Sequence, residues 1–296
     1  VILFLHIPKT GGTSFRFILE NSFGVSNCHA NQTKRLVFSQ ADLDFARRVF
    51  PRLRSVAGHN LVDLLRLSAP DPFYMTFLRE PVARVFSHYQ DSVLRGGNQL
   101  NFEESLRRSQ NLENLQVKLI AGERNLDKAK RALARCQFVG LTEQFDLSLH
   151  ALRQLSPYPL NLAYRRKVVA SDNAVKNTLQ RDSRMMELAR EYNKLDLELY
   201  AFAIAEIFPK LCGAAGLKPG EAVTSCETAR QKAHLRYQLG RSYNRIFRLL
   251  CKLRYQGSGS ENASAPLGNV AQDLFQPIVA ESGSAAEPLA STNKSV

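Results

Sequence analysis

The chain has 296 residues, 44% hydrophobic and 23% charged, enough to bury a full core in one domain and leave a tail. Its net charge of +13 attracts anions, whether nucleotides, acidic glycans, nucleic acid or acidic membranes, without choosing among them. The five cysteines, Cys28, Cys136, Cys212, Cys226 and Cys251, show no CxxC spacing, which argues against a zinc or thioredoxin-type motif and points to thiols in a reducing compartment.

The first predicted element is a strand over 1–7, Val1-Ile2-Leu3-Phe4-Leu5-His6-Ile7. It runs directly into Pro8-Lys9-Thr10-Gly11-Gly12-Thr13-Ser14, and a helical pattern follows from Phe15. Such a loop suits phosphate. Glycines let the backbone approach closely, the helix N-terminus presents N–H groups, and lysine adds a mobile positive charge. A second strand is predicted at 54–58, followed by His59 and Asn60, and a third at 73–79, ending at Arg79. Pro81 then suits the first turn of a helix, with Ser87 about two turns in. A fourth strand is predicted at 136–141, with Thr142 at its end. Helical stretches separate the strands. The expected fold is therefore α/β, P-loop-like and three-layered, with a central parallel sheet flanked by helices. Ligands bind at the carboxyl ends of such strands, which here carry Lys9, His59, Arg79 and Thr142.

After residue 143 the pattern is helical, with one helix expected at 185–204 and another at 228–255. The latter holds Arg230, Lys232, Arg236, Arg241, Arg245, Arg248, Lys252 and Arg254 and no acid. Leu239, Tyr243, Ile246, Phe247, Leu250 and Leu253 are assigned to the face that packs on the body. From 256 the composition shifts to Ser, Ala, Gly, Pro and Asn, expected to be disordered. The expected organisation is a domain over 1–255, in which 206–255 is a basic helical extension, and a low-complexity tail over 256–296. No stretch approaches the ~20 apolar residues of a membrane span. The first apolar run also lacks the basic lead of a signal peptide.

The loop departs from the Walker pattern, in which lysine follows the last glycine; Lys9 precedes both glycines. It suits one phosphate-like group better than a triphosphate, and no strand ends in an aspartate to hold magnesium. Arg79, a forked donor, and Ser87 can share a second phosphate; a plain Arg79–Glu80 ion pair is the alternative. Two phosphate sites at one sheet edge suggest a doubly phosphorylated nucleotide. His59 suits a general base because imidazole titrates near neutrality. The alternatives are a structural histidine at the strand end and, as a competing base, His6.

His6-Ile7-Pro8-Lys9-Thr10-Gly11-Gly12-Thr13-Ser14 resembles the 5′-phosphosulfate loop of PAPS-dependent carbohydrate sulfotransferases, most of all the heparan sulfate 2-O- and 6-O-sulfotransferases and their bacterial relatives. Leu78-Arg79-Glu80-Pro81 and Ser87 resemble their 3′-phosphate site. Phe138-Val139-Gly140-Leu141-Thr142-Glu143 and Asn114-Leu115-Gln116 are similar to further stretches, and the resemblance covers about 1–205.

The resemblance implies PAPS as sulfuryl donor, no metal, and a carbohydrate acceptor. It casts Thr10, Gly11, Gly12, Thr13 and Ser14 as holding the 5′-phosphate. Lys9 stabilises the leaving group, Arg79 and Ser87 hold the 3′-phosphate, and His59 is the base. Arg84, Arg95, Arg107, Arg108, Arg165, Arg166 and Lys167 are candidates to line a cleft for an acidic sugar chain. No nucleic-acid partner is expected. Without an anchor or paired cysteines the expected setting is cytoplasmic, as a soluble enzyme of bacterial type; an anchor preceding Val1 would move it to the Golgi. The rival readings are a P-loop-like nucleotide kinase and a non-enzymatic basic polyanion-binding protein.

Overall fold

Ile2, Leu3, Phe4 and Leu5 are all buried, as a strand covered on both faces requires. In the computed structural model, which describes residues 1–164, 174–228 and 235–255, they form β1 (Ile2–Leu5) at the middle of a five-stranded parallel sheet. The other strands are β2 (Asn27–His29), β3 (Ser55–Gly58), β4 (Phe73–Leu78) and β5 (Phe138–Leu141), in the order β2-β3-β1-β4-β5. Leu5 pairs with Gly58 on one side and Thr76 on the other. The chain leaves β1 in one direction to build β3 and β2, then returns across it to build β4 and β5. The strand order therefore reverses at β1, and the loops after β1 and β4 diverge to open a crevice.

Four of the strands lie where the apolar runs predict them, each trimmed at its ends. β2 is additional. It has three residues, pairs only with β3, and Ser55 Oγ donates to Asn27 Oδ1 at 2.6 Å. Helix α1 (Gly12–Phe23) buries Phe15, Ile18 and Leu19 on the sheet. Helix α2 (Gln40–Val49) starts with a Ser39–Asp42 capping box. Helix α3 (Pro81–Gly96) begins with its proline, as expected, and ends at Gly97 with φ +66°. Phe102 of α4 (Phe102–Arg108) packs on Phe86 and Tyr89 of α3 in a second, smaller cluster, whereas helices α5 (Leu115–Ala121), α6 (Leu126–Arg135) and α7 (Phe145–Leu155) join the main core.

The helix expected at 185–204 is broken. Its pieces are α9 (Ser183–Tyr192) and α10 (Lys194–Phe202), with α8 (Ala174–Arg181) before them; a π turn at Ala203–Ile207 and α11 (Phe208–Ala214) follow. The break falls at Asn193, which is fully buried. Its Nδ2 donates to Leu112 O and Ala189 O at 2.9 and 3.0 Å, and its Oδ1 accepts from Asn114 N at 3.0 Å. A side chain bonded in this way serves neighbouring backbone instead of leaving one helix to run through.

Helix α12 (Leu235–Tyr255) corrects part of the expected facing of the basic segment: Phe247 is buried and Tyr243 packs on the core as expected, but the rest of the inner face is different. Gly240, Asn244, Phe247 and Cys251 are buried, whereas Leu239, Ile246 and Leu253 are 49–66% exposed. Close approach decides the orientation: a Cβ on Gly240 would lie 2.5 Å from Gly24 O. Asn244 Oδ1 accepts from His29 N at 2.7 Å, and its Nδ2 donates to Asn27 O at 2.8 Å. Phe247 packs on Phe45 and Phe50, and Tyr255 OH donates to Asp42. Arg230, Lys232 and the tail from 256 lie outside the described residues.

Candidate functional site

The phosphate-loop pattern becomes a left-handed corner followed by a helix start. Lys9 has φ +70° and Gly11 φ +79°, and Gly11 caps α1 with no side-chain hydrogen bond. The first N–H groups of α1 are thus left for a ligand. At Gly12 a Cβ would come within 1.9 Å of the His6 ring, so only glycine lets the loop and that ring coexist. Thr10 is fully buried, and its hydroxyl donates to Ile7 O at 2.9 Å. It shapes the loop instead of facing outward.

A cavity of ≈ 320 Å³ opens at this corner. His6, Lys9, Gly11, Gly12, Thr13 and Ser14 form one wall, and Arg79 with Ser87 another. Thr142, Phe145 and Tyr164 close the third side. Of the residues expected to hold the nucleotide or act in catalysis, all but Thr10 and His59 line this one space.

Arg79 is held from several sides. Its Nη1 donates to Lys9 O at 3.0 Å, tying the two loops together. Gln116 clamps its backbone, accepting from Arg79 N at 3.0 Å and donating to Arg79 O at 2.9 Å. Glu80 does not take the ion-pair role set against the phosphate reading: its carboxylate caps α3, accepting from Val82 N and Ala83 N at 3.1 and 2.6 Å. Burial lowers the pKa of the Arg79 guanidinium, and the carboxylates of Glu143 and Glu80 oppose that shift.

Lys9 Nζ lies 3.3 Å from Asp91 Oδ1 of α3. Burial lowers its pKa, and Asp91 pulls it back up. His59 sits beside the cavity wall, its ring 4.1 Å from that of His6, centroid to centroid. His59 Nδ1 is 2.5 Å from His6 O. A carbonyl only accepts, so Nδ1 carries the proton and Nε2 keeps its lone pair. Burial brings the His59 pKa down to about 4, so the ring is neutral at pH 7. His6 is pushed well below its ordinary value by burial and by His59. Burial and Arg84 bring His88 to about 3.

Among the described residues, one of the cations proposed for the acceptor is not available to a ligand. Arg84 is fully buried and donates to Asn111 O at 3.2 Å, so it belongs to the scaffold. Arg95 pairs with Asp91 and Arg107 with Glu103. Arg165, Arg166 and Lys167 lie outside the described residues. The sequence reading gave no role to Gln116, Asp91, Phe145 or Tyr164. Asp91 carried one signal, lying one turn past Ser87 on the same helix face. Gln116 stood in a recognised stretch, but its contact with Arg79 depends on tertiary packing.

The model of the Sulfotransferase family matches residues 1–203. Over 120 residues the chain is 32% identical to the heparan sulfate 2-O-sulfotransferase hst-2 of Caenorhabditis elegans. The matched stretch covers 37% of this chain and 36% of that protein, so the chain spans little more than a third of its relative's length. The family match takes in Lys9, His59, Arg79 and Ser87 and ends before α11 and α12.

Proposed function

The chain belongs to the Sulfotransferase family, and from that premise we propose that it moves a sulfuryl group from PAPS to a hydroxyl of a carbohydrate acceptor. One observation carries the reading: Lys9, the uncapped start of α1, Arg79 and Ser87 converge on a single cavity. That donor set fits a nucleotide with phosphate at two positions. Lysine and N–H groups meet one phosphate, arginine and serine the other, and the cradle at Gly12 has no room for a side chain.

When bound, PAPS supplies the sulfuryl group and a phosphate leaving group. The Lys9 ammonium and the first N–H groups of α1 stabilise charge developing on the leaving oxygen. The loop residues Gly11, Gly12, Thr13 and Ser14 hold the 5′-phosphate, with Thr10 bracing the loop. Arg79 and Ser87 hold the 3′-phosphate. His59 takes the acceptor hydroxyl proton on Nε2, with its tautomer set by His6 O. The sulfuryl group carries less charge than a phosphoryl group, and the proposal gives no role to a metal.

His6 supports a second assignment of the base, because its ring and not that of His59 lines the cavity. The carbohydrate acceptor rests on the nature of the matched relative.

A thermal-shift series with adenosine 3′,5′-bisphosphate, ATP and AMP tests the donor class. Stabilisation by the bisphosphate that is lost in Lys9→Ala and Arg79→Ala is the expected result; equal or absent shifts overturn the reading. Transfer of labelled sulfate to a glycan panel tests the acceptor. A His59→Ala protein that binds nucleotide and keeps full transfer, beside an inactive His6→Asn protein, moves the base to His6.

A further inference from the structure

Helix α12 has two opposite faces in different surroundings. Gly240, Asn244, Phe247 and Cys251 face the core, while Leu235, Leu239, Ile246, Leu249 and Leu253 are 49–74% exposed. At 100° per residue the five exposed side chains fall on one line, opposite the buried face. They are five of the seven large hydrophobic residues exposed among the described residues. A continuous apolar ridge of this kind marks an interaction surface.

The charges beside the ridge point to what covers it. The helix carries six Lys/Arg and no acid over Leu235–Tyr255. By helical position Arg241, Arg245, Arg248 and Lys252 flank one side of the ridge, and Arg236 and Arg254 the other. A second copy of α12 would set these cations against an identical row with no acid between them. An uncharged apolar partner would leave both flanks unused. An anionic lipid surface uses both features: the aliphatic ridge enters the acyl boundary and the flanking cations reach the headgroups. No helix among the described residues is long and apolar enough to cross a membrane, so the contact lies in the plane of the interface. We propose that α12 docks the protein peripherally on an anionic lipid surface. The helix lies beyond the residues that match the family, so the device belongs to this chain and not to the sulfotransferase core.

The test is co-sedimentation of the full chain with vesicles of phosphatidylcholine alone or mixed with phosphatidylserine. Binding is expected only to the mixed vesicles. Ile246→Ser with Leu249→Ser should weaken it about tenfold or more. Arg245→Gln with Arg248→Gln should also weaken it, each arginine near such a surface accounting for about a fivefold change. All four positions are exposed, so urea midpoints should match wild type, which separates docking from folding. Three results overturn the proposal. One is no sedimentation with mixed vesicles. Another is sedimentation that survives Ile246→Ser with Leu249→Ser, the mark of a polyanion site that ignores the ridge. The third is a dimer that the same variant dissociates.

Discussion

Lowering the pH from 7 to 5 should cost this fold a large part of its stability through histidines buried as neutral rings. The His59 pKa is brought from 6.5 to about 4 and that of His88 from 6.5 to about 3, in both cases mainly by burial. In the unfolded chain both protonate as pH falls through 6.5; in the native state neither does until much lower. The unfolded state therefore binds more protons between those limits, and stability falls as pH falls. At pH 5 an unfolded histidine is about 1.5 units below its pKa, which at about 1.4 kcal/mol per unit makes about 2 kcal/mol per ring. Both rings keep an edge at the surface, and solvent there trims the pair to about 3–4 kcal/mol. His6, shifted in the same direction, adds to the loss. Set against a typical total of about 5–15 kcal/mol, this is a substantial fraction of the stability. Most carboxylates are still ionised at pH 5, so the effect belongs to the imidazoles. Urea unfolding followed by circular dichroism at the two pH values measures it. His88→Gln should shrink the loss between pH 7 and 5 by the share of one ring, about 2 kcal/mol. The comparison is made within each protein, so any baseline destabilisation cancels. A stability that is flat over this range, or an unchanged loss in both His59→Gln and His88→Gln, would refute the reasoning. The same shift keeps His59 deprotonated in the folded protein down to about pH 4, so an acid limb of transfer activity between pH 6.5 and 5 should track unfolding.

Three further outcomes follow from the contacts described above. Gly12→Ala forces a methyl into the His6 ring and should cost about 1–3 kcal/mol while abolishing the bisphosphate-induced thermal shift. Gln116→Ala leaves Arg79 N–H and C=O unpaired; calorimetric titration should show bisphosphate binding weakened about tenfold, and urea midpoints a loss of about 1–3 kcal/mol. Asn244→Ala strips three hydrogen bonds from a buried amide, to Asn27 O, His29 N and Gly240 O, and should lower the unfolding free energy by about 2 kcal/mol without altering nucleotide binding.

What could be read from the sequence was what neighbouring residues encode. β1, β3, β4 and β5 announce themselves as apolar runs, because strands buried on both faces have no polar alternation to hide them. Lys9 to Ser14, and Arg79 with Ser87, each lie within one strand–loop–helix unit, so their spacing already carries their proximity. Asn27-Cys28-His29 is too short and too polar at its ends to signal β2. Gln116 and Tyr164 reach the site from distant segments, and no local pattern assigns them. Arg84 looked like surface charge but serves a carbonyl inside the protein. Helix α12 misled for a different reason. Hydropathy selects its most apolar face as the inner one, whereas Gly240 and Asn244 fit the core through closeness and hydrogen bonding.

The Asn244 amide has one more consequence. It meets the outward-facing C=O of Asn27 and N–H of His29 in the way a neighbouring strand would, so a helix closes the open edge of the sheet. Residues 1–203 alone would leave β2 as a bare template for strands of other molecules, a route to aggregation. The part of the chain outside the family match thus acts as an edge guard for the part inside it.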